Sequence, residues 1–160
     1  MWENALQGKL DDIDIRIVNM VLQNGRITDK DIADQLHVSK TAIRMRRIHL
    51  QKLEYIRFMG LLVLQNVNLP YADAIVKTRA NAPDDEMEKL IKYLENEENT
   101  YEVTEYLGEK GLLIRLFDRN LLELKRRFKK ICLDNPIIES YEIMPVVRSP
   151  KAWGVKLDHK

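Results

Sequence analysis

The sequence holds a single cysteine, Cys132, in the setting FKKICLDN. One thiol cannot close an intramolecular disulfide, and no metal-ligand spacing surrounds it, so a disulfide scaffold and a zinc module are both excluded; Cys132 reads as a small core residue. No apolar run approaches the roughly 18 residues needed to span a bilayer. The start MWENALQGKLDD lacks the basic-then-apolar order of a signal peptide. These absences predict a cytoplasmic protein with no membrane partner. His37, His49 and His159 are scattered without ligand spacing, no glycine-rich phosphate loop is present, and no nucleophile stands beside a base. Catalytic residues, a metal and a cofactor are therefore not expected, and the chain reads as a non-enzyme. Internal repeats and low-complexity tracts are absent as well.

What is present fits a folded chain. Hydrophobic residues make up 45% of the sequence and charged residues 32%, a balance that supports a packed core rather than disorder. The 160 residues suit one domain or two small ones. The net charge of +1 conceals a division. Between Ser39 and Arg57, Lys40, Arg44, Arg46, Arg47, Lys52 and Arg57 stand against one acid, Glu54. Between Asp84 and Glu109, ten acids stand against Lys89 and Lys92. Such asymmetry suggests that one part of the molecule faces a polyanion and another does not.

Apolar periodicity orders the first third of the chain. Leu10, Ile13, Ile17, Val18, Val21 and Leu22 recur at helical spacing behind the acidic pair Asp11 and Asp12, and the helix stops at Asn24-Gly25. Thr28 is a candidate N-cap with an acid three residues on, opening a short helix with Ile32, Ala33 and Leu36 inward. After the break His37-Val38, Ser39 can cap a third, basic helix reaching about Leu53. Three short helices with a tight turn before a basic third one make a helix-turn-helix pattern. Ile56 to Leu64 (IRFMGLLVL) reads as a strand or wing, and Gln65 to Tyr71 carries turn residues and a proline.

Beyond this the pattern changes. Ala72 to Arg79 reads as a strand, and Asp84 to Asn96 as a helix with Met87, Leu90, Ile91 and Leu94 on one face. Tyr101 to Leu107 alternates as a strand, with Tyr101 and Val103 assigned to one face, and Leu112 to Phe117 returns after a Gly108-Gly111 turn. Asn120 to Cys132 is a second amphipathic helix with Leu121, Leu124, Phe128 and Ile131 inward, and Ile137 to Val147 a last strand. The order β-α-β-β-α-β predicts two helices on one face of a four-stranded antiparallel sheet. The class is thus α+β: a helix-turn-helix, winged-helix-like domain at residues 1–63, a linker at 64–71, and a ferredoxin-like βαββαβ domain at 72–160. Because two helices cannot cover both faces of the sheet, this second half is expected to be at least dimeric.

The third helix carries the chemistry of groove entry. Small polar residues at its start, Ser39, Lys40 and Thr41, can approach base edges, and arginines farther along can fork onto guanine or clamp phosphates. Thr41, Arg44, Met45 and Arg46 are assigned to discrimination, and Lys40, Lys52 and Arg57 to phosphates. Arg47 shares the helical face of Ile43 and Leu50, so its stem is expected along the core with its head snorkelling outward. The leading function is sequence-specific recognition of double-stranded DNA in transcription regulation. The alternative is an oligomeric small-molecule-binding or scaffold protein whose helical N-terminal domain binds protein; an enzyme on the βαββαβ half ranks third. The concentration of arginines on one helix favours the first.

Leu10-Asp11-Asp12-Ile13-Asp14, through Asn24-Gly25-Arg26-Ile27 to Val38-Ser39, resembles the Lrp/AsnC, or feast/famine, regulators, and the order of the second half extends that resemblance to about Val147. The resemblance implies homodimers formed through the C-terminal sheets, often assembled into octamers, and an amino acid effector bound between dimers. It places an effector loop at Gly108-Glu109-Lys110-Gly111, where Gly108 and Glu109 match a Gly-acid-aromatic-acid pattern and Lys110 and Gly111 depart from it. Ser140 and Glu142, on the last strand, are secondary effector candidates. Two further departures lie in the recognition helix and its end: Arg47 stands where the family has an aliphatic residue, and Glu54 where it has a glycine.

Overall fold

The computed structural model describes residues 8–106 and 111–157. The chain divides into two compact units, Met1–Leu61 and Leu62–Lys160, each with its own core.

In the first unit, α1 (Asp12–Gln23), α2 (Asp29–Leu36) and α3 (Lys40–Lys52) surround Ile17, Val18, Val21, Ile32, Ala33, Ile43 and Leu50, and Ile56 closes the cluster. Each helix starts where a side chain can satisfy a free backbone N–H. The Asp11 carboxylate accepts from Asp14 N–H (2.8 Å), the Ser39 hydroxyl from Ala42 N–H (3.1 Å), and Thr28 and Asp31 form a reciprocal capping box. The helix ends are tight. His37 takes a left-handed φ of 55° after α2, and Val38 N–H reaches back to Ala33 O (3.1 Å). Glu54 does the same after α3 at φ 56°, with Glu54 N–H on Gln51 O and Tyr55 N–H on Leu50 O, both at 3.0 Å. This is the Schellman arrangement, whose left-handed position ordinarily belongs to glycine.

Ile56 to Leu64, expected as a strand or wing, forms no ladder among the described residues, and its last residue opens a 3-10 helix. Phe58, Met59, Leu61 and Leu62 are exposed along this run, so it has the apolar character of a strand but no pairing partner among the described residues. Part of the stretch expected as a linker is structured: Leu64–Val67 is a 3-10 helix with Leu64 buried, and Leu69 N–H closes it onto Leu64 O (3.0 Å).

The second unit contains β1 (Tyr71–Thr78), α4 (Asp84–Glu95), β2 (Thr100–Glu105), β3 (Gly111–Phe117), α5 (Leu121–Asp134) and β4 (Ile138–Pro145). The sheet order is β2-β3-β1-β4 with every neighbour antiparallel. One face packs Ala72, Ala74, Val76, Leu112, Ile114 and Leu116 against Met87, Leu90 and Leu94 of α4 and Leu124, Phe128 and Ile131 of α5. Leu121, expected inward, is exposed at the first turn of α5. Tyr101 and Val103 fall on opposite faces, because the register of β2 against β3 shifts between Thr100 and Glu102. Val103 joins the helix-covered core, while the Tyr101 ring lies 6.3 Å from Phe117 on the other side. A small hairpin, β5 (Lys151–Ala152) and β6 (Val155–Lys156), follows the sheet. Among the described residues no helix is long and apolar enough to cross a membrane.

Candidate nucleic-acid interface

Helix α3 turns Ile43 and Leu50 into the core, and its 3.6-residue period therefore sends Thr41, Met45, Ile48 and Lys52 the opposite way. Arg44 lies at the edge of this outward stripe, and Lys40 is exposed in the first turn on the side of the helix that carries Arg47. Lys40, Thr41, Arg44, Met45, Ile48 and Lys52 are all exposed, Met45 at 62%. Among the described residues neither Lys40, Arg44 nor Lys52 meets a carboxylate. The face thus offers mobile cations, one hydroxyl and two exposed apolar side chains, the set that pairs with guanine edges, phosphates and thymine methyl groups. Ile48 was not among the residues expected here. Its position seven after Thr41 and three after Met45 was the available signal.

The other two arginines of α3 flank the buried stripe and are held there. Arg46 was expected at base edges; its Nη1 instead donates to Asp11 (2.5 Å) and to Asp14 (2.8 Å) at the N-terminus of α1. The two carboxylates hold the Arg46 guanidinium firmly protonated, Asp14 foremost and then Asp11. In return the Asp14 backbone N–H, followed by Arg46, holds the Asp11 carboxyl below its ordinary value. Arg47 packs as expected along the inner side, but its head does not snorkel into water. It donates to Ile27 O (3.2 Å) and to Asp29 (2.6 Å), lies 5.2 Å from the centre of the Phe58 ring, and is only 17% exposed. Arg57, assigned to phosphates, makes an exposed pair with Glu54 at 3.2 Å, which water and salt screen. The Ser39 hydroxyl is engaged in capping.

Gly108, Glu109 and Lys110 of the expected effector loop lie outside the described residues; Gly111 opens β3 and is buried. Ser140 and Glu142 are exposed on β4, in register with Lys77 and Ile75 of β1, on the sheet face away from the helices. No group of three or more metal-ligating side chains occurs among the described residues.

Residues 10–51 match the AsnC-type helix-turn-helix domain. An uncharacterized HTH-type transcriptional regulator of Pyrococcus horikoshii is 31% identical over 147 residues, a match covering 92% of this chain and 92% of the relative. Among solved structures, a transcriptional regulator of Neisseria meningitidis in complex with L-Met is similar with a TM-score of 0.76 at 21% identity, covering 89% of this chain and 93% of that one. AsnC of E. coli is similar with a TM-score of 0.73 at 18% identity, covering 89% and 95%. At these identities the structural likeness concerns the fold.

Proposed function

The chain belongs to the Lrp/AsnC family of transcription regulators, with an AsnC-type helix-turn-helix DNA-binding domain, and on that premise we propose that it reads a specific operator through the outward face of α3. The observation carrying this reading is the division of the basic helix: Arg46 and Arg47 are tied into the fold, whereas Arg44, Lys40 and Lys52 are exposed and meet no carboxylate among the described residues, with Thr41, Met45 and Ile48 also exposed on the same helix. Arg44 forks onto a base edge, Thr41 and Met45 tune the neighbouring positions, and Lys40 and Lys52 neutralise phosphates. Arg57 and Ser39 are auxiliary, the first exchanging Glu54 for phosphate and the second fixing the helix start.

The working form is a homodimer or a higher homo-oligomer. Two features support it, both among the described residues: the exposed apolar run through Phe58, Met59, Leu61 and Leu62, whose backbone has no strand partner there, and the sheet face that no described helix covers. A dimer presents two recognition helices to half-sites about 34 Å apart, or a multiple of that. Selection of bound fragments from random duplexes tests the reading. A motif with two-fold symmetry is the expected result, and enrichment of no motif contradicts it.

An amino acid or related small effector regulates this binding. The N. meningitidis regulator of like fold forms a complex with L-Met; Glu109, in the sequence Gly108-Glu109-Lys110-Gly111, is the acid proposed for an ammonium group, with Ser140 and Glu142 as secondary candidates. Melting the protein against a panel of amino acids checks this: one or a few should raise the transition temperature, and Glu109→Gln should abolish the rise. A uniform null response across the panel contradicts it.

A further inference from the structure

After β4 the chain changes its charge. From residue 143 to 157 there is no carboxylate, while Arg148, Lys151 and Lys156 are present. In the hairpin, Lys151 pairs in register with Lys156. Like charges set directly opposite on two strands repel, and an antiparallel pair this short has little else to hold it. Among the described residues no acid meets either ammonium group.

The tip is as unusual as the stem. Its two residues are Trp153 at φ 50° and Gly154 at φ 81°. A two-residue turn of this kind wants glycine, asparagine or aspartate at both places, yet here the first holds an indole 73% exposed to solvent.

The hairpin is nevertheless anchored. Ser149 N–H donates to Gln65 Oε1 (2.8 Å), the Tyr71 hydroxyl lies 3.1 Å from Ser149 Oγ and 3.2 Å from Gln65 Oε1, and Leu157, buried, donates its N–H to Pro150 O (2.9 Å). Gln65 sits on the 3-10 helix Leu64–Val67, just past the boundary at Leu61.

We propose that the β5–β6 hairpin is a second nucleic-acid contact, in which Lys151 and Lys156 straddle backbone phosphates of duplex DNA and the Trp153 indole packs against its sugars at the minor-groove edge. This rests on the DNA-binding reading above. Phosphates relieve the repulsion that the lysine pair carries in the free protein, and counterion release gives the contact its free energy. An aromatic side chain held rigidly on a cationic stem gains apolar contact with nucleic acid without sequence preference. The competing occupant, the acidic α4 region of a second copy, is an outcome of the test.

The experiment uses the full-length chain and a random-sequence duplex as probe. Binding is measured against salt for wild type, for Lys151→Ala/Lys156→Ala, and for Trp153→Gly, which removes the indole while relaxing the turn. The double variant should make the log–log salt slope shallower by about 1.8 per chain, at about 0.9 per phosphate. Trp153→Gly should keep the wild-type slope and bind more weakly. In a Trp2→Phe background, Trp153 fluorescence should become shielded from acrylamide when duplex is added. If wild type binds the duplex and the double variant has the same slope, the hairpin proposal fails and the recognition-helix reading stands. If the double variant loses oligomer mass in sedimentation with its slope unchanged, the hairpin meets another copy instead, and the proposal again fails. A wild type that binds no duplex overturns both readings.

Discussion

In the C-terminal unit Arg79, Arg115, Arg119, Arg126 and Arg127 each meet a carboxylate, and the last bridges Glu97 and the buried Asp118. In the N-terminal unit Arg46, Arg47 and Arg57 do the same, but Arg44, two residues from Arg46 on one helix, meets none among the described residues. Composition counts these guanidinium groups alike. The fold divides them into ties that hold elements together and cations left for an external polyanion. The difference follows from helical phase: at α3 a residue beside the buried stripe finds the acids of α1 and α2, and one beside the outward stripe finds water.

The tie in the C-terminal unit should be the costliest to break. Burial pushes the Asp118 carboxyl up, yet Arg127 and the Arg119 N–H (2.8 Å) outweigh it and hold it below its ordinary value. Arg127→Ala leaves that carboxylate without its cation and should lower stability at neutral pH by about 2–3 kcal/mol, measured by denaturant unfolding. The sign with pH follows from linkage. A depressed carboxyl contributes stability that is full above its unfolded value and disappears as pH falls through its folded value. Wild type should therefore lose this increment below about pH 4, and the gap to Arg127→Ala should narrow there. A gap constant with pH would mean that Asp118 is not the group Arg127 serves.

Arg47 is the tie within the recognition helix. Its removal takes away hydrogen bonds to Ile27 O and Asp29 and the contact over Phe58. Arg47→Ala should destabilise the N-terminal unit by about 2 kcal/mol with base preference unchanged. Thermal melting combined with a site-library binding assay measures both, and an altered motif would move Arg47 to the reading side of the comparison.

The smallest effect belongs to Glu54. A side chain at φ 56° is strained, and Glu54→Gly should stabilise the unit by about 1 kcal/mol, less a small loss from its exposed pair with Arg57. A melting temperature that falls would show that this pair matters more than the backbone.

Local chemistry made much of this legible in the sequence. Thr28 and Ser39 announce their helices because each hydroxyl satisfies an N–H within three residues, and Ala72 to Thr78 alternates in burial because one sheet face is covered. Long-range partners were less accessible. Nothing near Arg46 indicates Asp11, 35 residues earlier, so a residue bound into the fold looked like a reader of bases. The bulge that separates Tyr101 from Val103 depends on pairing with β3 and has no marker in β2 itself. Residues 56–63 have strand composition, but composition does not say whether the pairing strand lies in the same chain. The β5–β6 hairpin went unread because strands of two residues carry no periodicity and Trp153 is not a residue that ordinarily marks a two-residue turn.

The central claim is that α3 divides its arginines between folding and reading, and Arg44→Ala compared with Arg46→Ala tests it most directly. Both variants are measured for melting temperature and for binding to a library of sites. Arg44→Ala should leave melting unchanged, cost about 1–3 kcal/mol on the preferred site and relax preference at one base pair per half-site. Arg46→Ala should lower the melting temperature and scale all sequences alike. If Arg46→Ala instead shifts the motif at unchanged stability while Arg44→Ala weakens every sequence equally, the assignment of the two faces of α3 is wrong.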